Sequence, residues 1–157
     1  MKRFRILLPV MLLCLLVGGA AMAEDEEDLS FGDFTYIIQD GAVHITRYTE
    51  DAEETTIPGQ IDGMPVTAIA NRAFAYSRKL LRVTVPEGVT HIGSLAFTSC
   101  DKLADILLPD SVTSIGEGAF SSCPALTRIT LPGGLTSIGP AAFNACSGLK
   151  EIKLAAG

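Results

Sequence analysis

The sequence is poor in positive charge and in histidine, and both shortages narrow the range of possible functions. Among its 157 residues, 12 are lysine or arginine, 18 are aspartate or glutamate, and two are histidine. Three of the 12 basic residues, Lys2, Arg3 and Arg5, stand at the start, so the rest of the chain carries 9 basic residues against 18 acidic ones. Such a chain is poorly suited to phosphate backbones, so no nucleic-acid partner is expected.

Residues that could carry catalysis are also scarce. His44 and His91 have no nucleophile or carboxylate partner at a recognisable spacing, and Asp101 and Asp105 fit better as solvated carboxylates. A metal centre would need clustered cysteine or histidine ligands with closed geometry. No catalytic residue, cofactor-binding residue or metal ligand is predicted, no cofactor is implied, and we expect the protein not to be an enzyme.

The one long apolar run lies at the start of the chain. Residues 1–23 combine a cationic beginning, an apolar stretch over Ile6–Val17 and the small residues Ala21 and Ala23. This pattern is typical of a secretory signal peptide cleaved before Glu24. It predicts a secreted or cell-surface protein that meets the membrane only through this leader during export.

Two alternatives for the leader remain open. An uncleaved membrane anchor is nearly long enough but is disfavoured by Pro9. Lipid attachment at Cys14 is disfavoured because Leu13, which precedes it, is large. Residues 24–33, which begin with EDEED, are predicted to form an acidic linker.

A fixed period, equal to the interval from Phe74 to Phe97, organises the rest of the chain. Four columns at this period keep one residue type: Phe74, Phe97, Phe120 and Phe143; Ile69, Ile92, Ile115 and Ile138; Leu80, Leu103, Leu126 and Leu149; Thr67, Thr90, Thr113 and Thr136. Residues 66–157 therefore contain four copies of one structural unit.

Each copy predicts two short strands and a turn. In the third copy, Leu126–Leu131 alternates like a strand, Val112–Gly116 is a second extended segment, and Ala119–Cys123 is expected to be a brief helical or 3₁₀ turn. One copy buries too few apolar side chains to offset the ordering of its backbone. Neighbouring copies must therefore stack, which predicts a β-rich solenoid of short parallel strands.

The pattern Leu-x-x-Ile-x-Leu-Pro-x-x-Val-Thr-x-Ile-Gly-x-x-Ala-Phe-x-x-Cys resembles the BspA-type leucine-rich repeat of bacterial secreted and surface proteins. The resemblance covers Val66–Gly157, and the preceding Gly63–Thr67 is similar to that family's start of a first repeat. It implies a curved leucine-rich repeat solenoid used for adhesion or protein binding, with no catalytic residues to carry over. Departures at Ala70, Ser77 and Ala155 concern the terminal coils.

The two ends of the solenoid differ. Phe34–Gln39 and Ala42–Tyr48 alternate around Asp40-Gly41, which predicts a hairpin, so residues 34–65 are expected to cap the first coil and lead into it. At the other end the fourth copy finishes at Gly157. Either the array continues beyond this sequence, or the charges of Leu149–Leu154 discourage edge pairing, or this uncapped edge forms a homodimer.

The outward positions of one strand column are the candidate partner-binding face. These residues are Arg82, Thr84, Asp105, Leu107, Arg128, Thr130, Glu151 and Lys153. Arginine alternates with an acidic residue in this column, so the face is either a self-paired charge ladder or a contact surface for a protein or other extracellular macromolecule. The threonine column is expected to be a hydroxyl ladder between coils, with glycan binding as the alternative.

Three cysteines remain after the leader. Cys100, Cys123 and Cys146 recur at the same period and follow the phenylalanine column, so they are expected to point inward. Because an odd number cannot fully pair and stacked parallel side chains suit disulfide geometry poorly, we predict free thiols.

The function predicted from the sequence is that of a secreted or surface-displayed, non-catalytic binding or adhesion module. A self-assembling envelope component, or a fragment of a longer array, is the structural alternative. An enzyme would need a deep polar pocket, for which coils of this length leave little loop.

Overall fold

The computed structural model describes residues 28–156, which form thirteen strands and no helix. The predicted signal peptide lies outside the described residues. The strands are β1 (Leu29–Phe31), β2 (Phe34–Gln39), β3 (Ala42–Tyr48), β4 (Glu54–Thr56), β5 (Gln60–Ile61), β6 (Met64–Ile69), β7 (Arg82–Thr84), β8 (His91–Ile92), β9 (Asp105–Leu107), β10 (Ser114–Ile115), β11 (Arg128–Leu131), β12 (Ser137–Ile138) and β13 (Glu151–Leu154).

The repeats stack as coils of a parallel solenoid, which confirms the predicted fold. On one side, β6, β8, β10 and β12 form a continuous parallel ladder in which Ile92 lies opposite Ile69 and Ile115. On another side, β4, β7 and β9 form one parallel sheet and β11 and β13 form a second. Paired strands of successive repeats keep the 23-residue interval, as between Arg82 and Asp105, so equivalent side chains lie one above another.

The third side of each coil consists of turns instead of the expected short helix. Two left-handed residues recur four positions apart, as at Leu95 and Ser99, where φ is 56° and 57°. Because of these residues, alternate N–H groups of the turn point along the solenoid axis. The Phe97 amide, for example, donates to the Ala119 carbonyl of the next coil at 2.7 Å. A helix would keep those donors within its own coil, whereas the turn gives them to its neighbour.

A column of stacked aromatic rings fills the interior. Ring centroids are 4.8 Å apart between Phe74 and Phe97, 5.4 Å between Phe97 and Phe120, and 5.5 Å between Phe120 and Phe143. The first three of these rings are completely buried. Tyr48 continues the column into the N-terminal hairpin, with its ring 5.1 Å from that of Phe74.

The N-terminal hairpin joins the solenoid through its second strand. β2 and β3 pair antiparallel, and β3 then pairs in parallel with β6, so β3 takes the place that a preceding coil would occupy. β1 adds an antiparallel strand beyond β2 within the segment predicted to be an acidic linker. That prediction was wrong for Leu29–Phe31, because Leu29 packs against the core and its strand completes the edge of β2.

Glycine sets the closest approach between coils. A Cβ atom placed on Gly116 would lie 2.5 Å from the backbone nitrogen of Ser94, a distance that side chains do not tolerate. Gly93 and Gly139 are equally crowded by the coil before them. Ala70 takes this position in the first copy, where it faces strand β3 and not another repeat; its amide donates to the Ile45 carbonyl at 2.8 Å.

No helix within residues 28–156 is long and apolar enough to cross a bilayer.

Candidate interaction surfaces

The predicted charge ladder exists over the first half of the outward strand face. Arg82 Nε lies 3.1 Å from Asp105 Oδ2 on the next strand, and Arg82 Nη1 lies 3.6 Å from Glu54 Oε1 on the previous one. All three side chains are solvent-exposed to a large degree, so each pair contributes about 0–1 kcal/mol to stability. Here the charges satisfy each other across β4, β7 and β9.

The ladder stops between β9 and β11. No backbone ladder joins these two strands in the described chain, because the three-stranded sheet ends at β9 and β11 pairs only with β13. Arg128 forms no ion pair within residues 28–156: Asp105 lies across the interruption, and Glu151, although opposite Arg128 in β13, pairs along its own strand with Lys153, at 3.5 Å. The alternation of charge therefore leaves one cation of the face available to a partner.

An exposed leucine lies beside this cation. Leu107 in β9, the edge strand of the three-stranded sheet, is 53% exposed. One repeat period further along the chain it corresponds to Thr130 in β11, close to Arg128, and both of those residues are exposed. We name Leu107, Arg128 and Thr130 the β9–β11 patch. It combines apolar area with an unpaired guanidinium group.

A second surface, which was not predicted from the sequence, lies on the opposite ladder. The outward row of this ladder runs His44, Ala68, His91, Ser114 and Ser137 across β3, β6, β8, β10 and β12. It lines an open groove of about 810 Å³. The column at Ala68, His91, Ser114 and Ser137 follows from the repeat period, and its variability suggests a tolerant surface site. His44 lies outside the repeats, so the sequence does not align it with this column.

The threonine column forms the expected hydroxyl ladder beside this groove. The hydroxyl of Thr136 donates to the Thr113 carbonyl at 2.9 Å, that of Thr113 to the Thr90 carbonyl at 3.2 Å, and that of Thr90 to the Thr67 carbonyl at 3.3 Å. Because each hydroxyl hydrogen is used within the ladder, the column stabilises the stacking of coils.

The three cysteines are free and buried, as predicted. Each thiol donates to the carbonyl of the phenylalanine one coil earlier, as from Cys123 to Phe97 at 3.1 Å. Hydrogen bonding with Cys123, followed by burial, raises the pKa of Cys100, and burial raises the pKa of Cys146. The same hydrogen bond lowers the pKa of Cys123, so the structural role of the three thiols rests on their burial and on their bonds to the phenylalanine carbonyls.

Comparison with known proteins identifies the repeat. A family model described as the BspA type leucine rich repeat region (6 copies) matches residues 64–157. No match was found among curated proteins.

Solved structures give the same result. A leucine-rich repeat protein from T. pallidum is 32% identical with a TM-score of 0.67, the match covering 80% of this chain and 71% of that one. A leucine-rich repeat protein from Bacteroides capillosus is 29% identical with a TM-score of 0.73, covering 82% of this chain and 99% of that one. The pneumococcal vaccine antigen PcpA, at 20% identity, shares the fold, with a TM-score of 0.69 over 83% of this chain and 38% of its own.

Proposed function

Because the chain belongs to the family of BspA-type leucine-rich repeat proteins, we propose that it is an exported, non-catalytic module that binds a protein partner through the outward face of β7, β9 and β11. The leader pattern of residues 1–23 supports export to the cell surface or the medium. Polar side chains on the outside of the coils are not required for stacking. The scaffold can therefore present them to another macromolecule.

The β9–β11 patch is the observation that carries this proposal. Arginine is a typical anchor of protein interfaces, and exposed apolar area beside it gains free energy when binding removes it from water, whereas charges already paired at a surface add little. Arg82, Asp105 and Glu54 belong to the second class because they pair with one another. Arg128 and Leu107 belong to the first class, so we expect them to supply most of the affinity. We expect the guanidinium group to bind an acidic or carbonyl-rich site on the partner.

The test uses the chain immobilised without its leader and exposed to extracellular matrix and bacterial envelope fractions. Bound protein is identified, purified and titrated against the wild type, the double variant Leu107→Ala/Arg128→Glu, and Lys102→Glu, which removes an exposed cation on a turn. We expect the double variant to lose at least about 2 kcal/mol of binding free energy, as hot spots do, while Lys102→Glu binds normally. Undiminished binding by a folded double variant would exclude this face.

Self-association is the second candidate function. In the last described coil the apolar side chains of Ile138, Ile152 and Leu154 are 47%, 49% and 75% exposed. Strands β12 and β13 each have one pairing partner within the described residues, so their other edges can accept a strand. Sedimentation velocity at several concentrations tests this: a dimer that Ile152→Lys disrupts supports it, and a monomer at every concentration rejects it.

A further inference from the structure

Both histidines of the chain lie on one row of the groove. His44 in β3 is opposite Ala68 in β6, and Ala68 is opposite His91 in β8. All three side chains leave the same face of the sheet, since each is followed by a buried isoleucine of the adjacent register row, Ile45, Ile69 or Ile92. Two strand spacings put the Cα atoms of the two histidines about 10 Å apart. The only side chain between them is the methyl group of Ala68.

The hydrogen bonds of Thr90 define which nitrogen of His91 is available. Thr90 Oγ1 lies 2.6 Å from His91 Nδ1 and 3.3 Å from the Thr67 carbonyl oxygen. A hydroxyl has one hydrogen, and we assign that of Thr90 to the carbonyl, as in Thr113 and Thr136. Thr90 then accepts from Nδ1–H, which leaves the lone pair of Nε2 free for a ligand in the groove. A partner that fixes the tautomer in this way is what metal-binding histidines usually have.

From this arrangement we propose that His44 and His91 together bind one divalent transition-metal ion of the kind that prefers imidazole, such as Ni²⁺ or Zn²⁺. Metal–nitrogen distances of about 2.1 Å require the two nitrogens to approach within about 4 Å, so each ring leans inward by about 3 Å from above its own strand. The small side chain of Ala68 leaves the space in which they meet.

The site has two protein ligands, and water completes the coordination. Within residues 28–156 no group of three or more histidine, cysteine or acidic side chains is arranged to hold a metal ion. The buried thiols are separated from the groove by the sheet itself, because they lie in the core. The ion would therefore be exchangeable, with open positions on its solvent side that a ligand lying in the groove can occupy.

The test uses the protein purified without a histidine tag and titrated with NiCl₂ at about pH 8, because metal ions compete with protons for their ligands. Because the chain has two histidines, its proton NMR spectrum contains two imidazole Hε1 signals. If the rings share one ion, both signals broaden in parallel and the calorimetric titration ends at one equivalent. Two independent sites would give separate broadening curves and two equivalents, and would overturn the proposal.

Substitutions separate a shared ion from other binding. His44→Asn and His91→Asn should each weaken Ni²⁺ binding by at least about tenfold, because either substitution removes the chelate. The double variant should bind Ni²⁺ only slightly more weakly than the weaker-binding of the two single variants. Ala68→Leu keeps both ligands but fills the space between them, so it should weaken binding to a similar extent. Ser137→Ala, two strands from His91 on the same row, is the matched control and should bind normally. Tight Ni²⁺ binding that survives Ala68→Leu in a folded protein would refute the shared site.

Discussion

At the scale of single residues, glycine and cysteine determine how closely the coils approach. Gly116 lies where any side chain would meet the backbone of Ser94, and Cys123 gives its thiol hydrogen to the carbonyl of Phe97 in the preceding coil. Cys123 is fully buried, and Gly116 has no side chain to offer a ligand. Their recurrence therefore reflects the geometry of stacking and not a site.

We expect Gly116→Ala to lower the free energy of unfolding by about 2–3 kcal/mol, because the added methyl group must push two backbones apart. Thermal and urea denaturation measure the loss. The matched control is Gly59→Ala, where the new Cβ would meet Pro86 at an ordinary contact distance of 3.7 Å. Equal stability of the two variants would mean that the coils are not held as closely as described.

The buried cysteines should be inert in the folded protein. The raised pKa values of Cys100 and Cys146 keep those two thiols protonated at neutral pH, and burial excludes reagents from all three cysteines. Titration with a thiol-specific dye should therefore be slow in buffer and complete in concentrated guanidinium chloride. Rapid modification of the native protein would contradict the inward orientation, and a shortage of thiols in the unreduced, denatured protein would indicate a disulfide.

At the scale of elements, the solenoid depends on columns that run through every coil. The aromatic column begins at Tyr48 in the hairpin and continues through the four phenylalanines. Stacked rings bury large areas and add roughly 0.5–1.5 kcal/mol for each pair beyond area burial. Each coil therefore contributes to the stability of the coils on both sides of it.

Truncating a ring should cost more in the middle of the column than at its end. Phe120→Ala should lose about 3–5 kcal/mol of unfolding free energy, as large cavities do. Phe143→Ala should lose less, since Phe143 is only half-buried and stacks on one described ring. Urea denaturation of both variants measures the difference, and similar losses would show that the column does not act as a continuous core.

Much of this architecture could be predicted from the sequence, because a repeat makes every contact appear several times. The stacked phenylalanines, the threonine ladder and the inward cysteines all follow from one offset. Three features did not follow. The turns replace helices because left-handed pairs such as Leu95 and Ser99 have no characteristic sequence pattern. Arg128 loses Asp105 as an ion partner because the sheet is interrupted beside β9, and it loses Glu151 because that carboxylate pairs with Lys153.

The third feature concerns the groove. His44 lies outside the repeats, and an irregularity in the pairing of β3 with β6, between Val43 and His44, decides that it faces Ala68. The pairing register at such an irregularity depends on tertiary packing, so it cannot be deduced by counting residues along the chain. The two histidines therefore appeared unrelated in the sequence, although the structure places them on one row.

At the scale of the whole molecule, stability is a sum over neighbours. Each coil contacts the coils before and after it, and the hairpin supplies one side of the first coil. Proteins built in this way unfold from their weakest end and are most protected in the middle. The hairpin end is covered by β1 and β2, whereas β13 exposes all four of its residues.

Hydrogen exchange should reveal this gradient. Amides that bond across the central coils, such as those of Phe97 and Gly116, should exchange at least about tenfold more slowly than those of β13, because opening the last coil breaks contacts on one side only. Mass spectrometry of peptides or NMR can follow both sets. Uniform protection along the chain would show a single cooperative unit instead of a sum of coils.

The hydrogen bonds that run between coils repeat by one simple translation, since strands and turns alike pair with the equivalent segment of the adjacent coil. A tandem duplication of one such unit in the gene would consequently create a chain whose extra segment can form the same kinds of bond with the coils above and below it. Copying errors of this kind lengthen the protein without inventing a fold, and each added coil brings fresh outward positions on which selection can act.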